Sequence, residues 1–331
     1  MFFQENRMAM LVGIDEAGYG PLLGPLVVSA AAFDMPEKLL RSDHWGVLAK
    51  AVSTQKKALA GRLLITDSKK AYSRKSGIEH LRRTVLSAIH AWKNGSASTD
   101  TIWDVLSLIC PDTLESIDSY PWYKELNTHT LGHNPSDIAI AAGVLQKTMS
   151  EHNIQISGIQ SRCLDVEQYN MRVRKVKNKS RVLFTELCTL ILEAFNRNAA
   201  HTEPMQVIVD RQGGRINYQQ ELLRMFPGFS LSVIRQEPTM SSYELNQNGQ
   251  TMRIHFCAKA DTKYLVVGLA SMVSKYLREV MMYSLNHYFC RLCPDLCPTA
   301  GYWQDGQRFV KDLETHFPSH LDNREKLIRI L

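Results

Sequence analysis

The sequence predicts an α/β protein whose mixed central sheet is flanked by helices. Short apolar runs typical of strands are interleaved with helical segments along the 331 residues. The first two runs are separated only by a turn rich in Gly and Pro, which indicates a hairpin-like strand pair and makes the sheet mixed. Acidic residues stand at or beside the ends of apolar runs, so one edge of the sheet is expected to carry a site.

In the first part of the chain, residues 9–15 and 25–33 are the predicted strand pair. Residues 65–92 predict a strand end, a Ser-capped turn and an amphipathic helix that ends near Asn94 and Gly95. The apolar face of this helix carries Ile78, Leu81, Val85, Leu86 and Ile89. Residues 95–135 show no assignable period, and we interpret them as an insertion.

The second part alternates further helices and strands. Ser136 is the candidate N-cap of the first of these helices, and Asn248 with Gly249 predicts the turn of a hairpin at about 237–257, interpreted as a second addition. The predicted helices are 136–153, 181–198, 217–226, a long segment within 260–289, and 308–317, and the predicted strands are 154–164 and 205–210.

Composition is that of an ordinary globular protein, with 44% hydrophobic and 22% charged residues, which argues against disorder. The length favours about two structural units, or one domain with large insertions. No run of 18 uncharged apolar residues and no secretory leader is present, so the protein is expected to be cytoplasmic.

The formal net charge of +6 suits an anionic partner. Basic residues are concentrated in one stretch, which predicts either a track for phosphates or a solvated helix start. They are Arg172, Arg174, Lys175, Lys177, Lys179 and Arg181.

Three of the seven cysteines, Cys290, Cys293 and Cys297, follow His287 closely. A zinc site and reduced structural cysteines are both compatible with this stretch. The second interpretation is favoured because the spacing is not a standard zinc pattern and Pro294 and Pro298 interrupt the segment.

Four acidic residues carry most of the functional information: Asp15, Glu16, Asp210 and Asp261. Each lies in or beside an apolar or small-residue run, where a buried charge is costly unless a cation or hydrogen bonds offset it. Mg²⁺ and Mn²⁺ favour such oxygen ligands, and paired divalent ions promote phosphodiester hydrolysis. Taken singly, Asp210 and Asp261 are also compatible with helix N-caps, and Asp15 with a turn.

Several blocks together resemble the type 2 ribonucleases H (ribonuclease HII), nearest to their archaeal and eukaryotic branch. They span residues 11 to about 313 and read GIDEAGYGPLLGPLV, DSKK, VIVDRQGG followed by YQQELLRMFPG, KADTKYLVVGLASMVSK, and AGYWQD. The resemblance implies a ribonuclease H-like catalytic domain over 9–280, with both additions inside it, and a helical C-terminal appendage over 281–331.

The activity implied by the resemblance is metal-dependent endonucleolytic hydrolysis of the RNA strand of RNA/DNA hybrids, leaving a 3′-hydroxyl and a 5′-phosphate. Asp15, Glu16, Asp210 and Asp261 would be its catalytic residues and its ligands for Mg²⁺ or Mn²⁺. The positions that the resemblance assigns to substrate binding are Gly18, Tyr19, Gly20, Lys69, Asn178, Lys275 and Tyr302.

One position departs from the family pattern. The loop that reads Gly-Arg-Gly in the family is Gly18-Tyr19-Gly20 here, so a charge-assisted phosphate contact is missing. Arg211, Arg215 and Arg235 near the third acid are candidates to replace it. The change also keeps open two alternatives, a nucleic-acid-binding protein of this fold and a nuclease with another substrate.

Overall fold

The computed structural model describes residues 7–72, 77–128, 131–198, 204–321 and 324–330. Its mixed α/β architecture, with a central sheet between helical layers, confirms the predicted fold class. In these ranges no helix is both long and apolar enough to cross a lipid bilayer.

The regular elements are numbered in chain order. The strands are β1 (Met8–Ala17), β2 (Leu26–Pro36), β3 (Val52–Ser53), β4 (Leu63–Leu64), β5 (Gln155–Leu164), β6 (Met205–Asp210), β7 (Ser230–Gln236), β8 (Met240–Gln247) and β9 (Gln250–Cys257). The helices are α1 (His44–Val47), α2 (Ser68–Ala71), α3 (Glu79–Trp92), α4 (Ile102–Ile109), α5 (Leu114–Asp118), α6 (Pro135–Ser150), α7 (Val166–Val176), α8 (Lys179–Asn198), α9 (Gln219–Met225), α10 (Leu265–Leu292), α11 (Trp303–His316) and α12 (Arg324–Leu327). Short 3₁₀ helices occupy Glu37–Leu39, Lys56–Ala58, Pro111–Thr113, Pro121–Tyr123, Ala260–Thr262 and Pro318–Leu321.

Seven strands form the main sheet in the order β5-β2-β1-β6-β9-β8-β7. β2 runs antiparallel to both of its neighbours, β1 and β5, whereas β1, β6 and β9 are parallel to one another. β8 is antiparallel to β9 and β7. The carboxyl ends of the three parallel strands therefore meet at one edge of the sheet, which is where a site is expected.

The sheet separates two hydrophobic clusters. Leu11, Ile208 and the buried face of α10 belong to one cluster, whereas Val12, Val207 and the buried face of α8 belong to the other. This alternation along β1 and β6 follows from the two-residue period of a strand. The helices α3, α4 and α6 join the α10 side of the sheet.

Gly13 allows α10 to approach the middle of β1 closely. A Cβ placed there would lie 2.4 Å from the carbonyl carbon of Val266 and 2.4 Å from the amide nitrogen of Val267. Only a residue without a Cβ fits this contact. The start of α10 is thereby fixed beside the end of β1 that carries two of the predicted acids.

Most predicted elements are present, with shifts at their ends. The N-cap of α6 is Asn134, with Pro135 at the first helical position, rather than Ser136, because the Asn134 side chain accepts from the amides of residues 136 and 137. The hairpin turn at Asn248 and Gly249 is confirmed, with both residues at positive φ.

The structure places the two predicted additions and the predicted domain boundary as follows. The hairpin at about 237–257 lies within the main sheet, and its second strand, β9, is an interior strand between β6 and β8. Helix α10 spans Leu265–Leu292 and so includes residue 280, the predicted end of the catalytic domain, and that domain division stays a prediction. The stretch 95–135 forms α4, α5 and two 3₁₀ helices that add Ile102, Leu106 and Trp122 to the α10-side core.

Two buried arginines support the loop that follows β1. The Nη2 of Arg278 donates to the carbonyl of Leu23 in this loop at 3.4 Å and to that of Ala300 at 3.0 Å, and the Nε of Arg329 donates to the carbonyl of Gly24 at 2.8 Å. Arg329 also donates to the carbonyl of Gly18, and its guanidinium lies 4.7 Å from the centre of the Tyr169 ring. Burial, together with the charge of Arg278, lowers the pKa of Arg329 to about 9. These contacts fix the loop although they bury two charges.

We expect Arg329→Ala to lower the free energy of unfolding by about 2–4 kcal/mol, since it leaves buried carbonyls without donors and opens a cavity. Urea unfolding followed by circular dichroism measures this. Arg324→Ala is the matched control in the same terminal segment, because Arg324 pairs with Glu314 at the surface, where such pairs contribute about 0–1 kcal/mol. Equal effects of the two variants would contradict the role given to Arg329.

Candidate active site

The site is created by the divergence of two parallel strands. The ladder between β1 and β6 ends at the pair Ile14 and Val209, so Asp15 and Asp210 are the next residues on each strand. The ladder between β6 and β9 ends one residue later, at Asp210 and Cys257. An opening at the carboxyl ends of parallel strands is the usual place for a ligand in such sheets.

A cleft of about 640 Å³ occupies this opening and is lined by the four predicted acids, by lysines and by small polar residues. Its walls consist of Asp15, Glu16, Asp67, Ser68, Lys69, Lys70, Asp210, Lys259, Asp261, Thr262 and Ser271. The structure therefore brings together four carboxylates whose positions in the sequence are as far apart as 15 and 261.

Asp15 and Glu16 are adjacent on β1 and nevertheless line the same cleft. The amide of Glu16 donates to the Oδ1 of Asp15 at 2.8 Å, and the strand ends one residue later at Ala17, before Gly18 at φ +86°. Helix α10 holds Asp15 from the other side, because the hydroxyl of Ser274 donates to its backbone carbonyl at 2.9 Å and Ser271 hydrogen-bonds its carboxylate.

Asp210 and Asp261 are positioned by backbone groups. The Oδ1 of Asp210 accepts from the amide of Ala260 at 2.7 Å, which joins the end of β6 to the 3₁₀ helix that contains Asp261. The amide of Arg211 also hydrogen-bonds the Asp210 carboxylate. Lys259, at φ +56°, makes the turn that aims this helix at the cleft.

The negative charge of the cleft is unfavourable, so the cleft favours binding of cations or protons. Burial, followed by the charges of Glu16 and Asp210, raises the pKa of Asp15 well above its ordinary value. Burial, followed by the charge of Asp210, raises the pKa of Glu16 to about 7. The pKa values of Asp210 and Asp261 are also raised, mainly by burial, and for Asp261 also by the charge of Asp210. A divalent cation would relieve these costs.

Whether these residues fit a metal ion depends on which ligand atoms they offer and on how close their side chains can come to one another. Among the residues that the structure describes, no three His, Cys, Asp or Glu side chains are close enough to form a ready-made cage. The four carboxylates instead interact through charge across one cleft, and oxygen donors are the ligands that Mg²⁺ and Mn²⁺ prefer. The chemistry of the donor set therefore fits these ions, and Asp15, Glu16, Asp210 and Asp261 are the residues that would hold them.

Lys69 is the predicted substrate residue that lies in the cleft. It is the second residue of α2, where the side chain of the N-cap Asp67 accepts from its amide at 2.9 Å. Its positive charge lowers the pKa values of Glu16, Asp210 and Asp261. Sequence reasoning missed three residues of the cleft wall that matter here: Asp67, Lys259 and Ser271. The Asp-Ser pair before Lys69 is a signal typical of a helix cap, and only the fold shows that it faces the acids.

The Gly18-Tyr19-Gly20 loop lies beside the cleft. Tyr19 is half-buried, hydrogen-bonds Ser180, and has the ammonium group of Lys179 at 5.3 Å from its ring centre. Burial raises the pKa of Tyr19, and the charge of Glu16 adds to this effect. Tyr19 therefore stands between the acids and the start of α8.

The other predicted substrate residues lie outside the cleft wall. Asn178 is exposed, and its Oδ1 accepts from the amides of Ser180 and Arg181 at the start of α8. Lys275 pairs with Glu279 at 2.5 Å and lies 4.8 Å from the centre of the Tyr72 ring. Tyr302 is 52% exposed, with the buried guanidinium of Arg278 5.6 Å from its ring centre. Their part in binding substrate stays a prediction.

Residues of the basic stretch and of the cysteine cluster have contacts within the protein. In the basic stretch, Arg172 pairs with Glu186 and Arg174 with Glu325, so these arginines hold α7 to its neighbours. Cys290, Cys293 and Cys297 are free cysteines, and the Sγ of Cys290 donates to the carbonyl of Leu296. The phosphate track predicted for the basic stretch and the two interpretations of the cysteine cluster stay predictions.

No family model and no curated protein sequence matches the chain. Solved structures similar to it include ribonuclease HII of Archaeoglobus fulgidus in complex with PCNA, at 16% identity, a TM-score of 0.39, and coverage of 92% of this chain and 89% of that one. A mutant of Bst-RNase HIII matches at 15% identity and a TM-score of 0.46, covering 98% and 67%. Ribonuclease H2 of Pyrococcus horikoshii OT3 matches at 14% identity and 0.38, covering 96% and 92%. At such values the similarity assigns no activity, metal or substrate to the protein.

The raised carboxyl pKa values predict a pH-dependent penalty in metal-free protein. Because the pKa of folded Glu16 lies above that of the unfolded chain, its contribution to stability is present below about pH 4.5 and is lost as the pH rises through about 7. In EDTA, Glu16→Gln should therefore be more stable than wild type at pH 8.5, by about 1–3 kcal/mol, and close to it at pH 5. Thermal unfolding at both pH values measures this, with the exposed Glu115→Gln as control. A Glu16→Gln effect that does not change with pH would contradict the repulsion inferred for the cleft.

Proposed function

We propose that this protein is a metal-dependent endoribonuclease of the ribonuclease H type 2 class. It hydrolyses the RNA strand of RNA/DNA hybrids and leaves a 3′-hydroxyl and a 5′-phosphate. The observation that supports this most strongly is the convergence of Asp15, Glu16, Asp210 and Asp261 on one cleft at the carboxyl ends of parallel strands.

The chemistry follows from the donors in the cleft. Bound divalent cations lower the pKa of water and neutralise charge on the phosphoryl group and leaving oxygen. The chain's own residues prepare the site for them: the amide of Ala260 orients Asp210, and Ser271 and the amide of Glu16 orient Asp15. Lys69 adds a positive charge at the same cleft, where an anionic phosphodiester has to enter against the four predicted acids and Asp67.

The substrate assignment draws on the loop after β1 and on aromatic residues. Gly18 and Gly20 carry no Cβ and let a sugar approach their backbone amides, and the 2′-hydroxyl is what distinguishes RNA from DNA at such a contact. Tyr19 and the exposed Tyr302 offer rings on which a sugar or base can stack. The net charge of +6 favours association with a polyanion.

A second candidate is a nuclease of the same fold with another nucleic-acid substrate. The observation that favours it is Tyr19, which stands where the family has an arginine. Loss of a charge-assisted contact of about 1.5–3 kcal/mol weakens recognition of a single ribonucleotide by roughly 10- to 150-fold. The protein is therefore expected to cut long hybrids better than duplexes with one embedded ribonucleotide.

We expect wild-type protein with Mg²⁺ or Mn²⁺ to cut a long RNA/DNA hybrid, and EDTA to abolish the cleavage. Asp15→Asn and Asp210→Asn should each reduce the rate at least about 100-fold, because each removes a metal ligand. Labelled long hybrid, single-ribonucleotide duplex, all-DNA and all-RNA duplexes are compared on denaturing gels. Glu115→Gln, an exposed acid on α5, is the control and should retain the wild-type rate.

Cleavage that persists unchanged in Asp210→Asn, or in EDTA, would remove the assignment of the acids. Metal-dependent cleavage confined to all-DNA or all-RNA duplexes would favour the second candidate over the first.

A further inference from the structure

We propose that Arg215, Lys179 and Ser180, together with Tyr19, form a subsite for one backbone phosphate of the nucleic-acid substrate, next to the acidic cleft. The subsite would take over the phosphate contact of the missing loop arginine, from a different part of the chain. This inference rests on the proposed function, because it identifies how the same site holds its substrate.

Tyr19 lies between the acidic cleft and the proposed subsite. On one side its phenol is close enough to Glu16 for the carboxylate charge to raise its pKa. On the other side it hydrogen-bonds Ser180 and feels the charge of Arg215, and Lys179 lies over its ring. A phosphate bound at Arg215 would therefore flank the phosphate held in the cleft.

The guanidinium of Arg215 is fixed without being neutralised. Its Cζ lies 5.5 Å from the centre of the Tyr218 ring and 5.9 Å from that of Phe184, and its Nη2 donates to the Oγ of Ser180 at 3.1 Å. Within the described part of the chain, Arg215 has no carboxylate partner among the ion pairs. A guanidinium that lies within 6 Å of two ring centres and has no carboxylate partner among the described residues is well prepared for an oxyanion.

The loop after β6 also has unused hydrogen-bonding groups. The Nη1 of Arg215 and both amide atoms of Gln212 are buried and have no partner among the residues that the structure describes. Buried polar atoms almost always have a partner, so this loop is expected to gain one from a ligand or from ordered water. A phosphate supplies acceptors for the arginine donor.

The start of α8 adds further positive electrostatic potential that favours a bound anion. This helix has 20 residues, and the Oδ1 of Asn178 accepts from the amides of Ser180 and Arg181. The positive end of the helix dipole and the ammonium group of Lys179 thus face the same side as Arg215. The helix alone would not define a site, but together with Arg215 it makes three positive contributions around Tyr19.

The other two candidate arginines, Arg211 and Arg235, have different contacts from Arg215. Arg211 is turned toward the β7–β8 connection, where it donates to the carbonyl of Pro238. Arg235 lies on the exposed strand β7 and pairs with Glu237 at 3.3 Å. Arg215 is therefore the arginine of this group that is tied to Tyr19 and to the start of α8.

The test measures binding separately from cleavage. Fluorescence anisotropy with a labelled long RNA/DNA hybrid in EDTA gives the Kd at several salt concentrations, so no catalysis is needed. Arg215→Ala should raise the Kd about 10- to 100-fold, the range for a hydrogen bond to a charged group, and lower the salt slope by about one. Arg215→Lys keeps the positive charge but loses the planar guanidinium, so its Kd should lie between those of the wild type and Arg215→Ala. Arg235→Ala is the matched control and should stay within about twofold of wild type.

Hybrids that carry a single neutral methylphosphonate, moved along either strand, show whether a particular phosphate is involved. We expect one position near the cut to weaken wild-type binding and to have no further effect in Arg215→Ala, and the strand that carries it identifies the source of the phosphate. Thermal unfolding of each variant checks that it is folded. A folded Arg215→Ala with wild-type Kd and salt slope, or with the same methylphosphonate profile as wild type, would overturn the subsite.

The same measurements keep this inference apart from the proposed function. Wild-type binding that depends on Arg215 without any cleavage would support the subsite and count against the nuclease. If Asp210→Asn abolishes cleavage and Arg215→Ala leaves the Kd unchanged, the result would support the nuclease and count against the subsite. Absence of hybrid binding by the wild type would overturn the subsite.

Discussion

The central constraint of the structure is the repulsion between carboxylates that the fold holds close together at the ends of β1 and β6. β1 and β6 separate after Ile14 and Val209, and the next residue on each strand is an aspartate. Burial raises the pKa values of these two acids and of Glu16, and the charge of Asp210 raises those of Asp15 and Glu16 further, so metal-free protein stores unfavourable energy in the cleft. Such a cluster is costly for stability alone, and a site that binds cations accounts for it physically.

The scaffold around the cleft is built to maintain this arrangement. Gly13 brings the start of α10 against β1, and Ser271 and Ser274 on that helix then bind the side chain and backbone of Asp15. Behind the following loop, Arg278 and Arg329 hold backbone carbonyls that are distant in sequence. The end of the chain thereby contributes to the geometry of its first turn, which sequence patterns cannot reveal.

Local patterns predicted much of the fold and the four acids. The apolar runs gave β1, β2, β5 and β6, the Asn248-Gly249 turn gave the β8–β9 hairpin, and the resemblance selected Asp15, Glu16, Asp210 and Asp261. Strand β7 was missed because its alternation is confined to Leu231 and Val233, and both of its faces are largely exposed at the edge of the sheet. The interior position of β9, the cleft residue Asp67 and the link between Arg215 and Tyr19 depend on tertiary pairing, which has no local signal.

The most direct test is the location of a divalent cation in crystals of the wild-type protein soaked with Mn²⁺, using its anomalous scattering. The account predicts manganese in the cleft, with carboxylate oxygens of Asp15, Glu16, Asp210 or Asp261 among its ligands, and its loss in crystals of Asp210→Asn. A cleft that stays without manganese at saturating concentration, or carboxylates of residues 15 and 210 that face away from each other, would contradict it.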